Sequence, residues 1–171
     1  MCLAVMRASS WAAALLFCLP AASLALESDR EQPVHISADQ VELDEQKGVS
    51  HYRGNVHLDQ GTLSIRADRM TVYQTRRQID RILIRGAPAY FTQLPEAEQQ
   101  PVEAEASQMT YLSNQARLEL EGEARVEQDG NTFSGNRIVY DTQRSTVRAS
   151  RGSDDQDRVH VIIQPEEDPS P

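Results

Sequence analysis

An all-β fold, a stack of short antiparallel strands folded over into two facing sheets, is what this 171-residue chain predicts. Three observations lead there. Apolar and polar residues alternate from Pro33 onward, the alternation changes parity at short polar corners, and one strand–turn–strand pattern recurs four times. A period of two marks strands with one buried face. Helical spacing is not sustained anywhere after residue 26. The apolar residues are mostly Val, Ile and Leu with only 5% aromatics, which suits pleated sheet better than stacking platforms. A chain of this size makes one domain, or at most two very small ones.

Residues 1–25 hold a single charge, Arg7, then an apolar run from Ala8 to Leu19, Pro20, and the small-residue segment Ala21, Ala22, Ser23, Leu24, Ala25. This pattern reads as a secretory signal peptide cut after Ala25, so the mature chain is expected to begin at Leu26. The alternative is an uncleaved anchor, since the run extended to Leu26 approaches the roughly 20 residues a membrane helix needs. Pro20 and the absence of a following basic cluster weigh against it. Both cysteines, Cys2 and Cys18, fall in the removed segment, leaving no thiols where disulfides would be permitted.

In the mature chain the alternating runs are Val34, Ile36, Ala38; Val41, Leu43; Val56, Leu58; Leu63, Ile65, Ala67; and Met70, Val72. Parity changes between Ala38 and Val41 and again between Ala67 and Met70, so a bulge or corner must reorient the strand there. Turn chemistry separates the runs at residues 44–48, 59–61, 129–131 and 152–155. Aligning the corners exposes the repeat: Ala38-Asp39-Gln40-Val41-Glu42-Leu43, Ala67-Asp68-Arg69-Met70-Thr71-Val72, Ala106-Ser107-Gln108-Met109-Thr110-Tyr111 and Gly135-Asn136-Arg137-Ile138-Val139-Tyr140. Each is followed by a glycine, namely Gly54, Gly86, Gly122 and Gly152. Four copies of one unit then account for residues 26–164 as a single domain. The longer middle interval contains a Pro, Glu and Gln stretch from Thr92 to Pro101 that reads as an inserted loop. Val34, His35, Ile36 and Ser37 at one end, and Val159, His160, Val161 and Ile162 at the other, are expected to form terminal edge strands, which recruit further strands. Residues 165–171 form a proline-rich acidic tail, expected to be disordered.

Chemistry is sparse. None of His35, His51, His57 and His160 has a partner at metal-ligand spacing. No phosphate loop or nucleophile elbow is present. Asp39 and Asp68 occupy equivalent corners, where Asx side chains bond nearby backbone, which is a simpler reading than an acid–base pair. A net charge of −9 argues against nucleic acid. The composition therefore predicts a protein that is not an enzyme and needs no cofactor or metal.

The stretches Gln32-Pro33-Val34-His35-Ile36-Ser37-Ala38-Asp39-Gln40, Gly54-Asn55-Val56-His57-Leu58-Asp59-Gln60-Gly61-Thr62-Leu63-Ser64-Ile65-Arg66-Ala67-Asp68 and Ala106-Ser107-Gln108-Met109-Thr110-Tyr111 resemble the LptA family of lipopolysaccharide-transport proteins, whose repeat is called OstA-like. The resemblance runs from about Gln32 to Gln164. It implies an open, slightly twisted antiparallel β-jellyroll of four OstA-like repeats, located in the periplasm. It also implies a carrier that moves lipopolysaccharide between membranes and pairs head to tail with copies of itself. An inner-membrane partner of the same fold would sit at its N-terminal edge and the outer-membrane insertion complex at its C-terminal edge.

Hiding one acyl chain of a dozen carbons is worth on the order of 10 kcal/mol, at about 0.8 kcal/mol per methylene, so such a carrier needs a continuous apolar trough. By the resemblance, Val34 and Ile36 line its entrance, with Phe91, Met109 and Tyr111 deeper. From alternation alone, Val41, Leu43, Val56, Leu58, Leu63, Ile65, Met70, Val72, Leu118 and Leu120 are inward candidates for contact with lipid A acyl chains. Loss of Arg7 with the signal leaves a charge of −10, so acyl chains are expected to be gripped while the phosphorylated head group projects into solvent. The alternatives are a membrane-anchored partner of the same fold, or a scaffold whose interior is filled.

Overall fold

A computed structural model of the chain describes residues 29–76, 78–94, 100–151 and 158–165. The expected signal segment with both cysteines, residues 95–99 of the expected loop, the turn expected at 152–155 and residues 166–171 of the tail lie outside the described residues. The strands are β1 (His35–Ser37), β2 (Gln40–Asp44), β3 (Val49–Gln60), β4 (Leu63–Thr75), β5 (Gln78–Gln93), β6 (Val102–Leu112), β7 (Arg117–Gln128), β8 (Asn131–Asp141), β9 (Thr146–Ser150) and β10 (His160–Ile162). Short 3-10 turns occupy Asp29–Glu31 and Ser113–Gln115. The loop expected from Thr92 starts later, because Thr92 pairs with Glu103 and Gln93 with Val102 as the last rungs of β5.

All pairings are antiparallel, and each long strand serves two layers. One end of β3 pairs with β1 at His57, Leu58 and Asp59, and its other end pairs with β2 from Val49 to Arg53. At the far extremity β8 does the same, taking β10 on Thr132–Ser134 and β9 on Arg137–Asp141. The first layer therefore runs β1, the end of β3, the start of β4, the end of β5, the start of β6, the end of β7, the start of β8, and β10. The second runs β2, the complementary halves of the same strands, and β9. Among the described residues no strand half of one layer pairs with a half of the other. Covalent continuity at the bend and packing of the inner side chains join them.

The bend is where the repeat placed it. Register breaks fall between Arg53 and Val56, Arg66 and Arg69, Arg85 and Ala89, Glu105 and Gln108, and Glu121 and Ala124. An extra residue at such a bulge kinks the strand and re-aims the side chains beyond it, which explains the parity change. In β3 and β7 the bulge is made by consecutive left-handed residues, Gly54 (φ +76°) with Asn55 (φ +44°) and Gly122 (φ +79°) with Glu123 (φ +51°). A Cβ at Gly54 would run into the Asp39 carboxylate. The two corners lock together: Asp39 N donates to the Gly54 carbonyl at 2.9 Å, and Asn55 Nδ2 donates to Asp39 Oδ2 at 3.0 Å. The Asp39 side chain thus takes a side-chain amide across the ladder where sequence reasoning expected backbone.

The hairpins ending β2 and β8 share a second device. Asp44 accepts from Lys47 N at 3.0 Å and Nζ at 2.7 Å, and Asp141 accepts from Arg144 N at 2.9 Å and a guanidinium nitrogen at 3.1 Å. The Lys47 ammonium holds the Asp44 carboxyl below its ordinary value of 3.8, and the Arg144 backbone amide does the same for Asp141. A carboxyl lowered in the fold stabilises it above the ordinary value and loses that contribution as pH falls through the lowered one. Resistance to urea is therefore expected to drop below about pH 3.8, and to drop less in the double variant Asp44→Asn, Asp141→Asn. Identical acid profiles for the two proteins would show that these hairpins contribute nothing to the pH dependence.

Candidate lipid-binding interior

Alternation sends one face of each layer inward. Val56, Leu58, Leu63, Ile65, Ala89, Phe91, Val102, Ala104, Ala106, Ala124 and Val126 come from the first layer. Met70, Val72, Ile79, Ile82, Ile84, Met109, Tyr111, Leu118, Leu120, Ile138 and Tyr140 come from the second. All are buried and form one core cluster. Phe91 and Tyr111 belong to opposite layers and meet with ring centroids 5.5 Å apart and planes tilted by 52°.

The fifteen residues expected to contact lipid divide by position along this stack. Val56, Leu58, Leu63, Ile65, Met70, Val72, Phe91, Met109, Tyr111, Leu118 and Leu120 lie in the packed middle. Val34 and Ile36 are half-buried at its margin. Val41 and Leu43 point inward, opposite Tyr52 and Ser50, yet remain 65% and 61% exposed because the first layer does not cover β2. The stack's far end mirrors this, with Val161 opposite Phe133 and 49% exposed, and Ile163 73% exposed. The interior is thus filled by its own lining between β3 and β8 and apolar but uncovered at both extremities.

Both extremities also end in unpaired strand sides. Within the expected edges at residues 34–37 and 159–162, His35–Ser37 form β1 and His160–Ile162 form β10, each bonded on one side only among the described residues, while Val34 and Val159 fall just outside the strands. Sequence reasoning missed that β2 and β9 are equally terminal, in the second layer, so each extremity offers two edges. The N-terminal approach to β1 is pinned: Asp29 accepts from Thr62 N and Oγ1, both at 2.7 Å, and from Gln93 Nε2 at 2.9 Å. The histidines serve local contacts, His51 with Thr71 Oγ1 at 3.1 Å and His57 with Ser64 Oγ and Asp59 Oδ1, both at 3.2 Å. Among the described residues no cluster of three His, Cys, Asp or Glu side chains could hold a metal ion.

Two folded-over layers with a shared apolar interior, closed at each extremity by strands bonded on one side only among the described residues, define a class of open two-layer antiparallel sheet proteins. The family model described as LptA/(LptD N-terminal domain) LPS transport protein matches residues 35–146, and the chain belongs to that family. The lipopolysaccharide export system protein LptH of Pseudomonas aeruginosa is 40% identical over 162 residues, 88% of this chain and 93% of that one. The LptA protein of Escherichia coli K12 is 34% identical over 145 residues, 84% of this chain and 77% of its own. The crystal structure of LptH, titled the LptA-homologous periplasmic component of the lipopolysaccharide transport device of P. aeruginosa, superposes with a TM-score of 0.74 at 38% identity. It covers 81% of this chain and 100% of that one.

Proposed function

We propose that this chain is a periplasmic lipopolysaccharide carrier that shields acyl chains between its two layers and forms part of a bridge between membranes. The observation that carries the reading is the pair of inward-facing, uncovered residues Val41 and Leu43 at the mouth of an otherwise packed apolar interior. Exposed aliphatic side chains aligned on an inner face are poised to continue onto further apolar surface. Because the layers share no backbone hydrogen bonds, parting them to admit a chain would sacrifice side-chain packing and leave the ladders intact. The acyl chain itself, at roughly 0.8 kcal/mol per methylene, would replace the lost contacts. Binding and hand-over of this kind need neither a cofactor nor a bond-making step.

The free sides of β1 and β2 would receive an inner-membrane partner of the same fold. Those of β9 and β10 would meet the next copy head to tail or, at the last copy, the outer-membrane complex. Strand addition supplies main-chain bonds at each junction.

One observation favours a second reading. The filled middle is what a scaffold that never holds lipid would have. Photo-crosslinking separates the two. A photoreactive residue at Val41 is expected to capture lipopolysaccharide in cells, while one at the outward neighbour Glu42 is not. Absence of lipid adducts at Val41 and at its counterpart Val161 would support the scaffold, and equal capture at Val41 and Glu42 would show that lipid does not select the inner face.

A further inference from the structure

The charge of this acidic chain is unevenly laid out. Residues 49–93 carry seven basic and three acidic residues, whereas residues 94–128 carry two and eight. The bulges in β3, β4 and β5 concentrate the excess into one row, because Arg53 stands directly opposite Arg69 and Arg69 directly opposite Arg85. All three are exposed, on the outer face of the second layer beside the bend. Opposed side chains in a sheet sit roughly 5 Å apart, and like charges there are destabilising. Nothing nearby relieves this. Arg53 and Arg69 have no ion pair or hydrogen bond among the described residues, and Arg85 donates only from Nε to Gln108 Oε1 at 3.1 Å. By contrast Arg117, Arg125, Arg137 and Arg144 each sit on a carboxylate. Glu42 in the neighbouring row and Asp39 and Asp68 at the bend are the closest carboxylates along the ladders, and none is in ion-pair contact with the row. Just across the bend, Arg66 stands opposite Tyr90, an outward ring that is 48% exposed.

We propose that this arginine row docks the chain on an anionic lipid surface. A guanidinium fork matches phosphate oxygens two at a time, which suits a lipid head group. The row lies on an open sheet face without walls, so it fits an extended plane better than an enclosed small anion. Tyr90 beside it supplies an amphipathic ring of the kind found at head-group depth. Screening over about 8 Å at physiological salt makes the head groups respond to the local arginine row more than to the chain's net negative charge. Since the row crosses strands, a surface that meets all three arginines runs parallel to the strand stack, and a protomer docked this way lies along the membrane. Such docking belongs to a protomer outside the bridge, where the stack runs from one membrane to the other, and it uses an outer face that the trough does not touch.

Vesicle flotation tests it. The protein is expected to float with mixed phosphatidylcholine–phosphatidylglycerol vesicles at about 0.15 M salt, where its net negative charge is screened, and not with phosphatidylcholine alone. Each arginine is expected to contribute about fivefold to partitioning, so Arg53→Gln, Arg69→Gln, Arg85→Gln together should cost on the order of a hundredfold. Arg148→Gln, on the outer face of β9, should cost little. The triple variant should melt no lower than wild type, since it removes like-charge repulsion, and this confirms that it folds. Four results would overturn the proposal: no flotation of wild type with the anionic vesicles, an unchanged triple variant, capture of soluble polyphosphate without vesicle binding, or loss of self-association in the triple variant as its only effect.

Discussion

Replacing Phe91 by alanine is expected to lower the stability of the fold by about 3–5 kcal/mol, the range for removing a fully buried aromatic side chain. Phe91 is completely buried on β5, flanked across the ladder by Ile65 and Ala104. Its ring reaches the other layer to meet Tyr111. That contact is the mid-stack pin between layers that share no backbone hydrogen bonds. The loss therefore combines the burial of a large ring, the 0.5–1.5 kcal/mol or so of an aromatic pair, and an unfilled space that the small neighbours Ala104 and Ala106 cannot occupy. Phe91→Leu should cost markedly less, because it keeps most of the volume. Urea unfolding of both variants measures the difference. A cost below about 1 kcal/mol for the alanine variant would mean that the two layers do not lean on each other there.

The strand halves and bends were legible because they are local. Ala67-Asp68-Arg69-Met70 shows its corner in the sequence itself, since the apolar parity changes across it, and β4 bends there. The inward position of Phe91 was accessible only through the family resemblance. Its strand is not marked by alternation: Ile82, Leu83 and Ile84 run together, and Gly86 and Pro88 interrupt what is one sixteen-residue strand. What alternation could not give is the distance between layers. It tells which side chains face inward but not whether opposite faces touch, which depends on summed volumes from strands far apart in the chain. The doubled edges were invisible for a related reason, because β1 and β2 both lie on β3 only after it bends. Arg53, Arg69 and Arg85 look unremarkable in sequence. The register set by two bulges turns their regular spacing into a row.

The sharpest test of the interior is a change at its mouth that folding should not register. Val41→Asp with Leu43→Asp is expected to shift stability by no more than about 0.5 kcal/mol, since both side chains already stand mostly in water. An acyl chain laid against the same positions would have to desolvate two carboxylates with no partner on that face, at a cost of several kcal/mol. At 1.4 kcal/mol per tenfold, a penalty of about 3 kcal/mol already means a loss of lipopolysaccharide binding on the order of a hundredfold. Glu42→Ala, on the same edge strand but facing outward, should bind normally, which separates an effect on lipid from one on the strand's pairing edge. Thermal melting and lipopolysaccharide binding measured on the three proteins decide the matter. A doubly acidic variant that melts normally and still loads lipid at wild-type affinity would show that lipid does not pass over β2. The entrance would then have to be sought at the other extremity, around Val161 and Ile163, whose inner face is just as uncovered.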